Sequence, residues 1–190
     1  NVADEIAYNH HDLDDGLRSG LLLFDEIMGL GAAKKAVNEV VSLGGTIDEY
    51  RKNSEVIRRM INYQIEDLVR QTERNIEMAG VNSVDEVRRC GKVLVSFSPE
   101  TQSKVTELKS FLMRRLYKNP KVKQLTDIAE VVVSDLFSVF VADLRTSSLD
   151  LKSLRSVADK IAGMTDSSAV RIHNKFFPEK KLWPEPLLFN

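Results

Sequence analysis

Apolar positions recur along this chain with the period of a helix. Over about 54–78, Ile57, Ile61, Ile65, Leu68, Val69 and Ile76 fall largely at helical spacing, which predicts one long helix with a single buried stripe. Arg70, Glu73, Arg74 and Glu77 are left for the solvent side. Shorter segments repeat the pattern: about 2–14, closed by Gly16; 21–28, between Gly20 and Gly29; and 32–43, ended by Gly44 and Gly45. Thr46-Ile47-Asp48-Glu49 and Ser83-Val84-Asp85-Glu86 have the form of capping boxes, a hydroxyl followed three residues later by a carboxylate. Ser98-Pro99 and Asn119-Pro120 place a capping side chain before a proline that suits a first helical turn.

The helix opened at Ser98 continues through Val105, Leu108, Leu112 and Leu116. The next, over about 125–142, is apolar on almost every face, as suits the centre of a bundle. Residues 151–175 read as one last long helix with Leu154, Val157, Ile161 and Ile172 inward. Residues 93–97 form the one strand-like run; a lone strand has nothing to pair with, so the run reads as buried extended linker. No repeat or low-complexity block divides the chain. The expectation is an all-α multi-helix bundle forming a single unit over 1–190, with an irregular, proline-broken tail at 178–190.

Composition narrows the function classes. The 190 residues carry 27 basic and 28 acidic side chains, a net charge of -1, which removes any global drive toward nucleic acid. Two basic clusters stand out: Arg58-Arg59, and Arg114-Arg115 with Lys118, Lys121 and Lys123. Each reads first as a solvated helix end; clamping of a triphosphate or binding of a nucleotide or nucleic-acid effector is the alternative. Cys90 is the sole cysteine, so a disulfide framework is excluded and a reducing, cytoplasmic setting is expected. No apolar run approaches the ~20 residues of a membrane span. The chain starts without a methionine, inside a predicted helix, and is expected to be part of something longer.

Asp4, Tyr8 and Asp12 stand at i, i+4 and i+8. At ~100° per residue each step drifts by only roughly 40°, so the three project from one helical face. Two carboxylates flanking a phenol suit a cation at one end and a sugar hydroxyl at the other. An acidic helix start that complements the macrodipole is the plainer reading of the same residues.

The stretch VADEIAYNHHDLDDGLRSGLL resembles the segment ADxIAYxxHDxxDxLRxGLL of bacterial dGTP triphosphohydrolases and their dNTPase relatives, members of the HD-domain phosphohydrolases. VADKIAGMTDSSAVRIH resembles a second segment of that family, ADYIAGMTDxxA. Between them, RRMINYQIEDLVRQT, VSFSPETQSKVTELKSFLMRRLYKNPKV and SDLFSVF follow its helical landmarks in order. The resemblance implies a C-terminal part of such an enzyme, with 1–30 closing the HD catalytic core and 46–177 forming the C-terminal helical region. It implies hydrolysis of a dNTP, dGTP first, to the deoxynucleoside and triphosphate, with a divalent metal, Mg or Mn.

Asp4 would be a metal ligand, Tyr8 would pack on the deoxyribose, and Asp12 would accept from the 3′-hydroxyl. His11-Asp12 spells the family's name, but the metal-binding His and His-Asp dyad of the family lie upstream of the segment present here. His10 and His11 therefore read as helix-surface or pocket-edge side chains, and His173 as a surface residue. No residue is assigned as catalytic. The expected partners are the dNTP and further copies of the chain; nucleic acid could enter only as an effector, and no membrane is implied. One departure stands in the second segment, where Lys160 replaces a tyrosine. With Asp4 the one ligand present, the chain alone is expected to hydrolyse no dNTP and to retain no metal. A catalytically silent assembly or regulatory module is the alternative.

Overall fold

The chain is all-α. The computed structural model describes residues 2–42, 48–144 and 150–180, and among these no strand occurs. The helices are α1 (Val2–Arg18), α2 (Phe24–Met28), α3 (Gly31–Ser42), α4 (Glu49–Ala79), α5 (Val84–Arg89), α6 (Pro99–Leu112), α7 (Pro120–Ala142), α8 (Leu151–Ala162) and α9 (Asp166–Phe176). A π-helical turn, Met113–Tyr117, continues α6. No described helix is long and apolar enough to cross a membrane.

Internal contacts group the chain into two compact units, Asn1–Asn119 and Pro120–Asn190. The composition carries no sign of this cut, because a bare Asn-Pro step makes it and no linker marks it. In the first unit Leu13, Leu22, Ile27, Val56, Met60, Leu108 and Leu112 pack into the main core, bringing together α1, α3, α4 and α6. Ile6, Phe97 and Val105 form a smaller cluster beside it. In the second unit Val132, Leu136, Phe140 and Val157 are the buried centre, where α7 meets α8 and α9.

Capping chemistry placed the helix starts well. Ser83 Oγ accepts from Glu86 N at 3.3 Å, and Ser98 Oγ from Thr101 N at 3.3 Å. Asp48 caps α4 by accepting from Arg51 N at 2.9 Å; Thr46 and Ile47 of that predicted box, with Gly44 and Gly45, lie outside the described residues, as does the tail from 181 on.

Gly16 does not close α1; it is buried inside the helix, and a Cβ there would stand 2.5 Å from Leu22 Cδ1. The glycine is there so that the Leu22 side chain can lie against the α1 backbone. The predicted segment 21–28 is helical only at Phe24–Met28. The buried stripe of α4 is Val56, Ile57, Met60 and Gln64, whereas Ile65, Val69 and Ile76 are exposed, so burial is confined to its N-terminal half. Of the 93–97 run, Leu94 and Phe97 are buried but Val93 and Val95 face solvent. Side chains of α4 tie this run down: Asn75 Nδ2 donates to Leu94 O at 2.8 Å, and Asp67 accepts from Ser98 N at 2.9 Å.

The helix α7 buries one stripe, Val132, Leu136 and Phe140, with Val131 and Val133 exposed, so it is not buried all round within its unit. The predicted last helix is two: Gly163 N returns to Asp159 O at 3.0 Å, and Thr165 caps a new start by accepting from Ser168 N at 3.3 Å. Lys160 lays its ammonium 3.7 Å from the Phe140 ring centroid, which resolves the departure from tyrosine by a cation–π contact.

Candidate functional site

The helix α1 runs unbroken from Val2 to Arg18, anchored on the core side by Ile6 and Leu13. Its opposite flank carries Asp4, Tyr8 and Asp12. Asp4, Glu5, Tyr8 and Asn9 form one wall of a pocket of about 610 Å³; Lys109, Met113 and Tyr117 form the other. Two contacts join the walls. Lys109 Nζ lies 3.1 Å from Glu5 Oε1, an exposed pair that adds little stability. At the other end Tyr117 Oη donates to Asp12 Oδ2. Both residue numbers rise together across these contacts, so the two helices run in the same direction.

Tyr117 sits on the π-helical turn, where Lys118 N bonds back to Met113 O at 3.2 Å. Such a turn advances less than ~100° per residue and rotates the residues after it, a device frequent at functional sites. Here it carries Tyr117 to Asp12 and leaves Leu116 in the core. Burial, and then the bonds to Asp12 and Tyr8, push the Tyr117 phenol well above its ordinary range, so it stays a donor. Its ring lies 6.4 Å from that of Tyr8, tilted by 37°. Tyr8 itself is 58% exposed, an aromatic face turned to the pocket and solvent. Sequence spacing singled out Asp4, Tyr8 and Asp12 but not Tyr117, Lys109, Met113 or Asn9; the one signal for Tyr117 was its place in the RRLYKNP landmark.

His10 is not at a surface or pocket edge: it is 1% exposed. Its Nδ1 lies 2.7 Å from Ile6 O, which can only accept, so Nδ1 carries the proton and Nε2 is left to accept from Gln64 Nε2 at 3.4 Å. Burial holds its pKa below the ordinary imidazole value, with His11 adding in the same direction against the Ile6 bond. His11 is exposed. His173 is also corrected: it is 0% exposed, with Nε2 2.9 Å from Asp135 Oδ2 and its ring stacked on Phe177 at 4.9 Å. The hydrogen bonds of His173 and Lys180 hold the Asp135 carboxyl below its usual range.

The first basic cluster is engaged with an acid, and so is Arg115 of the second. Arg58 and Arg59 both bond to Glu55, which they hold down to about 2, and Arg115 pairs with Glu26. A second pocket, about 290 Å³, lies near Lys35, Gln64 and Arg70 and contains none of the predicted site residues.

A divalent cation needs several oxygen or nitrogen donors at fixed geometry. Among the described residues no three His, Cys, Asp or Glu side chains come together in that way. Asp4, in the pocket lining, does not by itself fit a cation.

Residues 95–175 match the profile of the phosphohydrolase-associated domain. Along its length the chain is similar to curated proteins of several bacteria. It is 38% identical to deoxyguanosinetriphosphate triphosphohydrolase-like protein 1 of Mesorhizobium japonicum, over 93% of this chain and 46% of that protein. Identity is 38% to a deoxyguanosinetriphosphate triphosphohydrolase-like protein of Thiobacillus denitrificans, over 96% and 50%, and 39% to one of Azoarcus sp., over 93% and 48%. The chain spans about half the length of the curated relatives it matches.

Proposed function

Because the chain belongs to the family of deoxyguanosinetriphosphate triphosphohydrolase-like phosphohydrolases, we propose that it supplies the sugar-binding wall of an enzyme that hydrolyses a deoxynucleoside triphosphate, dGTP first. Water adds at the α-phosphorus, the bond to the 5′-oxygen breaks, that oxygen takes a proton, and deoxynucleoside and triphosphate leave. The observation that carries this reading is the pocket lined by Asp4, Tyr8 and Tyr117, with Asp12, outside the lining itself, accepting a hydrogen bond from Tyr117.

Each residue has a task set by its chemistry. Tyr117 occupies Asp12 Oδ2 and so fixes the carboxylate, whose Oδ1 then accepts from the 3′-hydroxyl. The Tyr8 ring packs on the deoxyribose, where a 2′-hydroxyl would meet an apolar face and lose its partners. Asp4 and Asp12 are about 12 Å apart along the helix axis, which leaves room for a sugar and its first phosphate. Family membership implies divalent-metal dependence for the whole protein; we assign Mg or Mn, with Asp4 as this chain's ligand. Further copies of the chain are the proposed partners.

Steady-state release of triphosphate from dGTP, by a protein of the relatives' full length that contains this chain, tests the proposal. Asp12→Ala raises KM more than it lowers kcat, and Asp4→Ala abolishes turnover. Normal turnover in Asp4→Ala, or release of pyrophosphate instead of triphosphate, contradicts it. A second reading, a silent helical module, is favoured for the chain by itself by the lack of three converging metal donors among the described residues. Turnover of dGTP by the 190-residue chain alone would exclude it.

A further inference from the structure

Asn9 is 4% exposed, and its Nδ2 is buried without a hydrogen-bond partner. Burying an amide donor unpaired costs on the order of 1–3 kcal/mol, so a position that keeps one calls for an explanation. Asn9 also lines the pocket that Tyr8 and Tyr117 share. Helical geometry shows where it stands. At ~100° per residue, Asn9 falls roughly 60° from Ile6 and roughly 60° from Asp12, on the boundary between the core flank of α1 and its pocket flank. It is therefore part of the pocket floor.

Asn9 and Asp12 are i and i+3, the spacing at which helical side chains are neighbours, about 5–6 Å between Cβ atoms. Asp12 Oδ2 is taken by Tyr117, and Oδ1 has no partner among the described residues. The pocket lining thus offers an unused amide donor at Asn9, and beside it, bonded to the lining residue Tyr117, stands the Asp12 carboxylate. A hydroxyl group is the complement of that pair, since it donates one proton and accepts at its lone pairs. A bare carbonyl would satisfy only the amide, and an ammonium only the carboxylate.

We infer that Asn9 is a specificity-determining residue of this pocket, its Nδ2 donating to the same sugar hydroxyl oxygen whose proton goes to Asp12. This rests on the sugar-binding reading and extends it: selection for the 3′-hydroxyl is made by two partners of opposite polarity. A ligand without that hydroxyl leaves both Asn9 and Asp12 unsatisfied, a stronger penalty than either alone.

The test follows the side-chain amide signal of Asn9 by NMR in the isotope-labelled 190-residue chain. 2′-Deoxyguanosine and 2′,3′-dideoxyguanosine are titrated to millimolar concentration. Deoxyguanosine shifts the Asn9 amide together with the Tyr8 and Tyr117 rings, and the dideoxy compound moves the rings at higher concentration and leaves the amide in place. Ring signals that move without Asn9 overturn this inference and leave the sugar pocket standing. If neither rings nor amide move, the sugar-binding reading fails and takes the inference with it.

Asn9→Leu supplies a second readout. An orphan donor predicts a Tm unchanged or raised, with the preference for deoxyguanosine over its dideoxy analogue reduced about tenfold. A lowered Tm with the preference intact would make Asn9 a structural residue and overturn the proposal.

Discussion

Each unit of the chain buries one histidine, and the two are solved in opposite ways. In the first unit His10 is held neutral between a backbone carbonyl and the Gln64 amide, and the groups around it stay incompletely paired: Asn9 Nδ2 and Gln64 Oε1 are buried without partners. In the second unit His173 faces a carboxylate, Asp135, that also takes Lys180. The first arrangement leaves hydrogen-bonding capacity beside a pocket, whereas the second ties α9 to α7 through Nε2 and Asp135, although His173 Nδ1 too is buried without a partner. An unpartnered amide donor in a pocket lining, as at Asn9, is available to a ligand; the ion-paired carboxylate of Asp135 fastens two helices together.

Removing the fastening has the largest expected effect. His173→Ala empties a fully buried position and the stack on Phe177, and lowers unfolding free energy by about 2–4 kcal/mol in urea titrations. An effect under about 0.5 kcal/mol, the range of ordinary surface substitutions, would return His173 to the surface role its sequence suggested. Next comes Gly16→Ala. The gain in helix propensity is outweighed by the collision with Leu22 Cδ1 at 2.5 Å, and a net loss of about 1–2 kcal/mol is expected. A more stable variant would show that α1 and Leu22 are not in contact.

The pH dependence separates the two histidine environments. Because burial lowers the folded-state pKa of His10 below 6.5, protons bind the unfolded chain first. Its contribution is complete above pH 6.5 and declines as pH falls from there toward the lower folded value. Asp135, also lowered, contributes fully above its ordinary 3.8 and loses that contribution only as pH falls further, through its folded pKa. Stability measured from pH 7 to pH 3 therefore begins to fall through His10, and His10→Gln flattens the upper part of the curve. A His10→Gln variant with the same upper slope contradicts the neutral assignment. The smallest effect is that of Tyr117→Phe, about 1 kcal/mol or less from one lost hydrogen bond to a half-exposed Asp12, read by the same titrations.

The helical fold and the shared face of Asp4, Tyr8 and Asp12 could be read from period and capping chemistry, which are local properties. What stayed hidden depends on neighbours distant in sequence. His10 and His173 look like any polar residue on a helix until Gln64 and Asp135 are brought beside them. Ile65, Val69 and Ile76 continue an apolar stripe in sequence, but burial stops where the packing elements stop. Tyr117 stands 105 residues from Asp12, and a π-helical turn that no spacing announces brings them together. Gly16 read as a terminator because glycines end helices; here the same lack of a Cβ serves a close approach.

The central claim is that the wall formed by Tyr8, Asp12 and Tyr117 recognises deoxyribose. The most direct measurement is the ratio of kcat/KM for dGTP over GTP in a protein of the relatives' full length, compared between the parent and Tyr8→Ala. The account predicts a parent strongly selective for dGTP and a variant whose ratio falls at least about tenfold, the equivalent of roughly 1.4 kcal/mol of lost discrimination. A Tyr8→Ala enzyme that turns over dGTP more slowly but discriminates as well as its parent would contradict it.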